Sequence, residues 1–188
     1  MPQTIVKPKT QNFKRNPSPK AKTSGFKDYL AIALALDITT RPTRPDFTAT
    51  MEAKEYATAI AATPATAFGA TPVWGKLEIE EGTLKVMRKP IGKLQETTGK
   101  LTEISFEVVD TEEMQGYLDL ISAAPLDVII EKNNGSFIWF GDADRGVYLD
   151  DVSTENTTEK GRIAVKLTFK VLSGLYLPTG TTISYVTA

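Results

Sequence analysis

The sequence predicts a mainly-β fold of the α+β class: an antiparallel β-sandwich or barrel with one inserted α-helix, a long loop and an extended N-terminal arm. Three observations lead there. Apolar and polar residues alternate with a period of two in several separate stretches, as strands with one buried face require. The alternation is cleanest over Arg162–Leu172, where Ile163, Val165, Leu167, Phe169 and Val171 share one face and Arg162, Lys166, Thr168 and Lys170 the other. Turns rich in Gly, Asn and Asp separate these stretches. The best helical spacing falls in one segment only, just after a strand.

Taken in order, residues 1–27 form the arm. Pro2, Pro8, Pro17 and Pro19 lie there among Lys, Thr, Ser and Asn, and proline removes backbone donors and fixes φ, so extended chain is expected. The single β-rich domain is expected over 28–188. Its first element, Tyr29–Ile38, places Leu30, Ile32, Leu34, Leu36 and Ile38 on one face and Ala31, Ala33, Ala35 and Asp37 on the other. Alternation argues for a strand, while the Ala/Leu content argues for a helix by propensity. The small-residue face predicts a second close-packed surface.

Residues 39–73 read as an interface-forming loop. Pro42, Pro45, Pro64 and Pro72 bracket Met51–Ala62, a short-helix candidate with Glu52 and Glu55 in its first turns. Loops this long inside a domain are usually functional.

Beyond Val73, Leu77 and Ile79, then Leu84 and Val86, flank Gly82 as two strands or one bulged strand. Residues 89–99 are expected as a loop. A strand is expected over Leu101–Val109, with Ile104, Phe106 and Val108 inward. The helix follows, capped by Asp110 or Thr111, with Glu112 and Glu113 in its first turn. Its stripe is Met114, Tyr117, Leu118 and Ile121, and Pro125 stops it.

Leu126–Lys132 and Ser136–Phe140 are joined by Asn133-Asn134-Gly135, a hairpin turn because these residues tolerate positive φ. In Phe137-Ile138-Trp139-Phe140 both faces are apolar, which predicts burial on both sides. Strands are further expected at Val147–Val152, at Arg162–Leu172 after a polar loop, and at Thr181–Val186.

Charge is divided unevenly. Residues 1–27 carry Lys7, Lys9, Lys14, Arg15, Lys20, Lys22 and Lys27 and no acid, a net of +7. The rest has fifteen basic residues against all 23 acidic ones, a net of −8. A basic arm on an acidic body suits contact between copies. The inter-subunit candidates are therefore Lys7, Lys9, Phe13, Lys14, Arg15, Lys20 and Lys22.

The chain has no Cys and no His, which removes thiol chemistry, the commonest metal ligand and the commonest general base. Asp142, Asp144, Asp150 and Asp151 begin like a calcium loop, but the glycine and distal glutamate are out of register, so a solvated turn is expected. Glu80 and Glu81 are adjacent and diverge on a strand. No phosphate-binding glycine pattern or nucleophile elbow occurs. No catalytic residue, cofactor or metal site is expected, and the chain is not expected to be an enzyme. No stretch is apolar enough for a signal peptide or a bilayer span, so a soluble protein made in a cytoplasm, without membrane contact, is expected.

This order of parts resembles the tail tube proteins of long-tailed bacteriophages. The resemblance lies in KLTEISFEVVDTEEMQGYLDLI, GDADRGVYLDDV and GRIAVKLTFKVLSG, within residues 74–174. It implies a virion tail subunit assembled in the host cytoplasm. Its partners would be its own copies in stacked hexameric rings, and other virion proteins at the tube ends. DNA would pass non-specifically through an acidic lumen formed by a continuous inner barrel. The arm and the 39–73 loop would contact neighbouring rings. The alternatives are a capsid decoration protein, a tail terminator ring, or a carbohydrate-binding β-sandwich using Trp74, Trp139 and Tyr148.

Overall fold

A computed structural model describes residues 25–38, 40–41, 74–91, 99–141, 146–157, 160–170, 175–177 and 181–186. It is mainly β, with two antiparallel sheets and one α-helix among the described residues. In chain order the elements are β1 (Phe26–Leu34), β2 (Gly75–Glu78), β3 (Lys85–Ile91), β4 (Gly99–Val109), α1 (Glu112–Ser122), β5 (Leu126–Lys132), β6 (Phe137–Phe140), β7 (Tyr148–Thr157), β8 (Lys160–Lys170) and β9 (Leu175–Tyr176). One sheet runs β2-β1-β5-β6-β9 and the other β3-β4-β8-β7.

Inward residues of both sheets meet in a single core. Leu30, Ile32, Val128 and Phe140 come from the first sheet, and Ile104, Phe106, Val165 and Leu167 from the second. This is sandwich packing, in which alternate residues of each strand face the partner sheet. The helix closes one side with Leu118 and Ile121. Its start is as the sequence predicts: Thr111 is the cap, and its hydroxyl accepts from the Met114 N–H at 3.1 Å.

The chain changes sheets at one peptide. The Ile79 N–H donates to the Asp28 carbonyl of β1 at 3.1 Å, and the next N–H, of Glu80, donates to the Glu107 carbonyl of β4 at 2.8 Å. Gly82, at φ 74°, turns the chain into β3. The strands flanking Gly82 are thus two, in different sheets. A second corner joins Val147 to Leu126 by reciprocal bonds of 2.7 and 2.8 Å.

The five-stranded sheet is also covered on its other face. Ala31 and Ala33 of β1, Ile129 of β5 and Trp139 of β6 pack with Trp74, Ile38, Leu177 and Ile183 in a second cluster. The small-residue face of β1 and the double burial of β6 are both as the sequence predicts.

Four expected boundaries are corrected. β1 ends at Leu34, and Ala35–Asp37 form a 3₁₀ turn whose first N–H, of Ala35, donates to the Pro125 carbonyl at 2.9 Å. Leu36 is therefore 84% exposed, and Ile38 joins the second cluster rather than the first. β3 continues through Pro90 to Ile91, which an edge strand permits because no neighbour needs the missing N–H. The expected polar loop after Val152 is strand: β7 runs to Thr157, paired with β8 along its length. At the C-terminal side, the strand is Leu175–Tyr176, whereas Thr181–Ser184 are not strand and Tyr185 makes a single parallel bridge to Trp74. The helix expected at Met51–Ala62 lies outside the described residues.

Candidate interaction surface

The second face of the four-stranded sheet looks outward, and its residues follow from register. Lys85, Met87 and Lys89 of β3 lie beside Leu101, Glu103, Ser105 and Glu107 of β4, then Arg162, Ala164 and Lys166 of β8, then Asp151 and Ser153 of β7. The same alternation that buries Ile104, Phe106 and Val108 brings these polar side chains to the opposite side.

Charges on this face form a row across all four strands. Lys89 lies 2.8 Å from Glu103, Glu103 lies 3.7 Å from Lys166, and Lys166 lies 3.0 Å from Asp150. The signs alternate +, −, +, − from β3 to β7. Asp150 reaches the row because a bulge between Leu149 and Asp151 places two β7 residues opposite Lys166. Glu103 is nearly buried at the centre of the row. The hydrogen bond from Lys89, aided by the charge of Lys166, holds its carboxyl below the usual value against the opposing effect of burial. The Asp150 hydrogen bond, with Glu103 and Asp151 nearby, holds the Lys166 ammonium above its usual value.

A second row links Glu80 to Arg162 at 3.0 Å and Arg162 to Glu107 at 3.1 Å. Between the rows runs a shallow groove of about 140 Å³, with Ser105, Ala164 and Ser153 among its lining and Lys85, Glu107 and Asp151 around it. Of the charged groups around the groove, Glu107 is paired with Arg162, while Lys85 and Asp151 form no ion pair among the described residues, and no group of three or more metal-type ligands converges among them.

The edges of this sheet are β3 and β7, and among the described residues no strand pairs with the outer side of either. β7 is ten residues long and β3 seven. The other sheet ends in β2 and β9, of four and two residues. Short edges resist further pairing, while long ones invite it.

A separate constellation holds the root of the 39–73 segment. The Arg41 Nε donates to the Asp127 Oδ2 at 3.0 Å, its Nη1 to the Ile38 carbonyl at 3.2 Å and its Nη2 to the Ala35 carbonyl at 2.5 Å. Asp127 is fully buried. A Cβ on Gly141 would fall 1.7 Å from the Asp127 Oδ1, so the chain closes around the carboxylate only because residue 141 is glycine. This ties the 3₁₀ turn, β5 and the chain after β6 together.

The predicted residues fare as follows. Lys7, Lys9, Phe13, Lys14, Arg15, Lys20 and Lys22 lie outside the described residues, as do Asp142 and Asp144. Asp150 and Asp151 are on the outward face, where Asp150 is an ion-pair partner rather than part of a turn. Glu80 binds Arg162, and Glu81 sits exposed in the Gly82 turn. Of the three rings proposed for a sugar platform, Trp74 and Trp139 are 0% and 2% exposed and only Tyr148 faces solvent, which removes that platform. Sequence reasoning missed Arg41, Asp127 and Glu103. The signal for Asp127 was a lone acid in the apolar run Leu126–Ile130; its partner Arg41 is 86 positions away and carries no local cue.

No described helix is long and apolar enough to cross a membrane. Comparison with protein-family models, with curated proteins and with solved structures finds no match to this chain.

Proposed function

We propose that the chain is a structural subunit that works by joining its own copies into rings that stack into a tube, in the manner of a virion tail tube through which DNA passes. The observation that carries the reading is the four-stranded sheet with two long edges that no strand pairs among the described residues. Its strands alternate in direction, and their number is even. A copy rotated about a ring axis therefore brings its β3 antiparallel to the β7 of its neighbour, so that one sheet continues into the next. An odd number would force a parallel joint.

Further support comes from the sequence resemblance and from the charge division. On the outward face Lys89, Arg162 and Lys166 are each paired with a carboxylate, which lessens the phosphate-driven binding that a basic surface shows. The absence of His and Cys removes the commonest general base and thiol chemistry.

Electron microscopy of the purified 188-residue chain tests the proposal. Sixfold rings or tubes support it, whereas trimers point to a decoration protein and unstacked single rings to a terminator. Removal of residues 1–25 is expected to leave folded subunits that no longer stack. Normal stacking by that truncation removes the role given to the arm.

A further inference from the structure

The two open edges carry opposite charge. β3 contains Lys85, Arg88 and Lys89 and no acid. β7 contains Asp150, Asp151 and Glu155 and no base. Between them the Lys89–Glu103–Lys166–Asp150 row alternates in sign without interruption. A further strand beside β7 continues the alternation only if it is cationic, and one beside β3 only if it is anionic. β3 and β7 themselves are the matching strands.

We infer that this edge charge selects the partner: it directs the acidic β7 edge of one copy onto the basic β3 edge of a second copy and excludes the two self-pairings. The inference rests on the assembly reading above and adds a specificity that the open edges alone do not supply. Two β7 edges would bring acid against acid, and two β3 edges base against base. Like charges directly opposite in a ladder are destabilising. Such repulsion is how closely similar interfaces reject wrong partners. The distinction matters because a β7–β7 or β3–β3 contact is isologous and stops at a two-fold dimer, while β7–β3 is heterologous and closes a ring.

The β7 edge has a local guard as well. Its bulge at Leu149–Asp151 disrupts one end, and regular pairing with β8 resumes from Asp151 to Thr157. On β3, Pro90 lacks a donor, so Lys85–Lys89 is the run open to a partner. The β3 edge thus offers the five residues Lys85–Lys89 and the β7 edge the seven residues Asp151–Thr157, enough for an ordinary strand pair.

Charge reversal tests this without replacing any residue of the internal row. Among the described residues Lys85 and Arg88 are exposed and make no ion pair, and Asp151 is exposed and forms no bridge, although its charge acts on Lys166, so their replacement keeps the ion pairs of Glu103 and Asp150. Variant one is Lys85→Glu with Arg88→Glu, and variant two is Asp151→Lys with Glu155→Lys. Circular dichroism first confirms that both fold, and light scattering and electron microscopy then read assembly. Each variant alone should require a concentration higher by on the order of tenfold or more at low salt. A one-to-one mixture should assemble like the unaltered protein, because the acidified β3 edge of variant one then meets the cationic β7 edge of variant two, while the unaltered β7 and β3 edges meet each other. The deficit should shrink as salt rises.

If the unaltered chain assembles and the variants assemble equally well, the charge selection is wrong and the assembly reading stands. If both variants fail and the mixture does not recover, charge selection is likewise overturned. A chain that stops at two-fold dimers contradicts the heterologous joint. A chain that stays monomeric at every concentration overturns the reading itself.

Discussion

Replacing Arg41 with alanine tests whether the clamp on the 39–73 segment is a structural requirement. The substitution removes the cation beside a fully buried carboxylate and two donors to the carbonyls of Ala35 and Ile38. Breaking one partner out of a buried pair costs about 3–5 kcal/mol. The arginine side chain is 17% exposed, so water recovers part of the loss and the expected cost is the lower end, about 3 kcal/mol. Total stability of a domain is roughly 5–15 kcal/mol, so the effect is large. Urea unfolding followed by tryptophan fluorescence reads it directly, because Trp139 belongs to the same buried cluster as Ile38. With a urea slope of about 1–3 kcal/mol per molar, the midpoint should fall by roughly 1–3 M. Arg41→Lys keeps the charge but loses the planar fork and should fall between. Arg41→Ala combined with Asp127→Ala should cost less than the sum of the two single changes, since no uncompensated charge is left behind. A loss under about 0.5 kcal/mol for Arg41→Ala, or simple additivity of the pair, refutes the reasoning.

Three further outcomes are expected. Gly141→Ala forces a Cβ onto the Asp127 carboxylate and should destabilise by about 1–3 kcal/mol as an overpacking change; combining it with Asp127→Ala should relieve much of that in the same unfolding assay. The carboxyl of Glu103 is held below its usual value by Lys89. A depressed carboxyl contributes stability that is present above its unfolded value and is lost as pH falls through the folded value, so stability measured across the acid range should decline less steeply in Glu103→Gln. Thr102 is buried on the inner face, and its hydroxyl has no hydrogen-bond partner among the described residues; Thr102→Val should raise stability by about 1 kcal/mol in thermal unfolding, and a clear loss would point to a partner for that hydroxyl.

Much of this architecture is legible in the sequence because one physical signal governs it. Where one strand face is buried and the other wet, alternation marks the strand, as over Leu101–Val109 and Arg162–Leu167. Thr111 and Asn133-Asn134-Gly135 announce a helix start and a hairpin by local chemistry. The signal fails where the environment breaks its premise. Over Ala35–Ile38 the Leu/Ala alternation continues unbroken, but the chain coils there because the Ala35 N–H has a partner on Pro125, a contact that local sequence does not encode. The outer end of β7, Ser153–Thr157, is polar on both faces because it is an edge held by backbone bonds to β8, so it reads as a loop. The outward row was visible as polar positions in the alternation, but its pairing depends on register between strands up to 77 residues apart, as for Lys89 and Lys166 flanking Glu103. The arm candidates rest on charge alone.

The central claim is that copies of this chain join through the open edges of the four-stranded sheet. The most direct measurement is electron microscopy of the purified protein across a concentration series, with mass measured in parallel by light scattering. The account predicts closed rings and stacked tubes in which copies share one orientation about the axis. A protein that remains monomeric throughout the series, or that stops at a two-fold dimer, contradicts it.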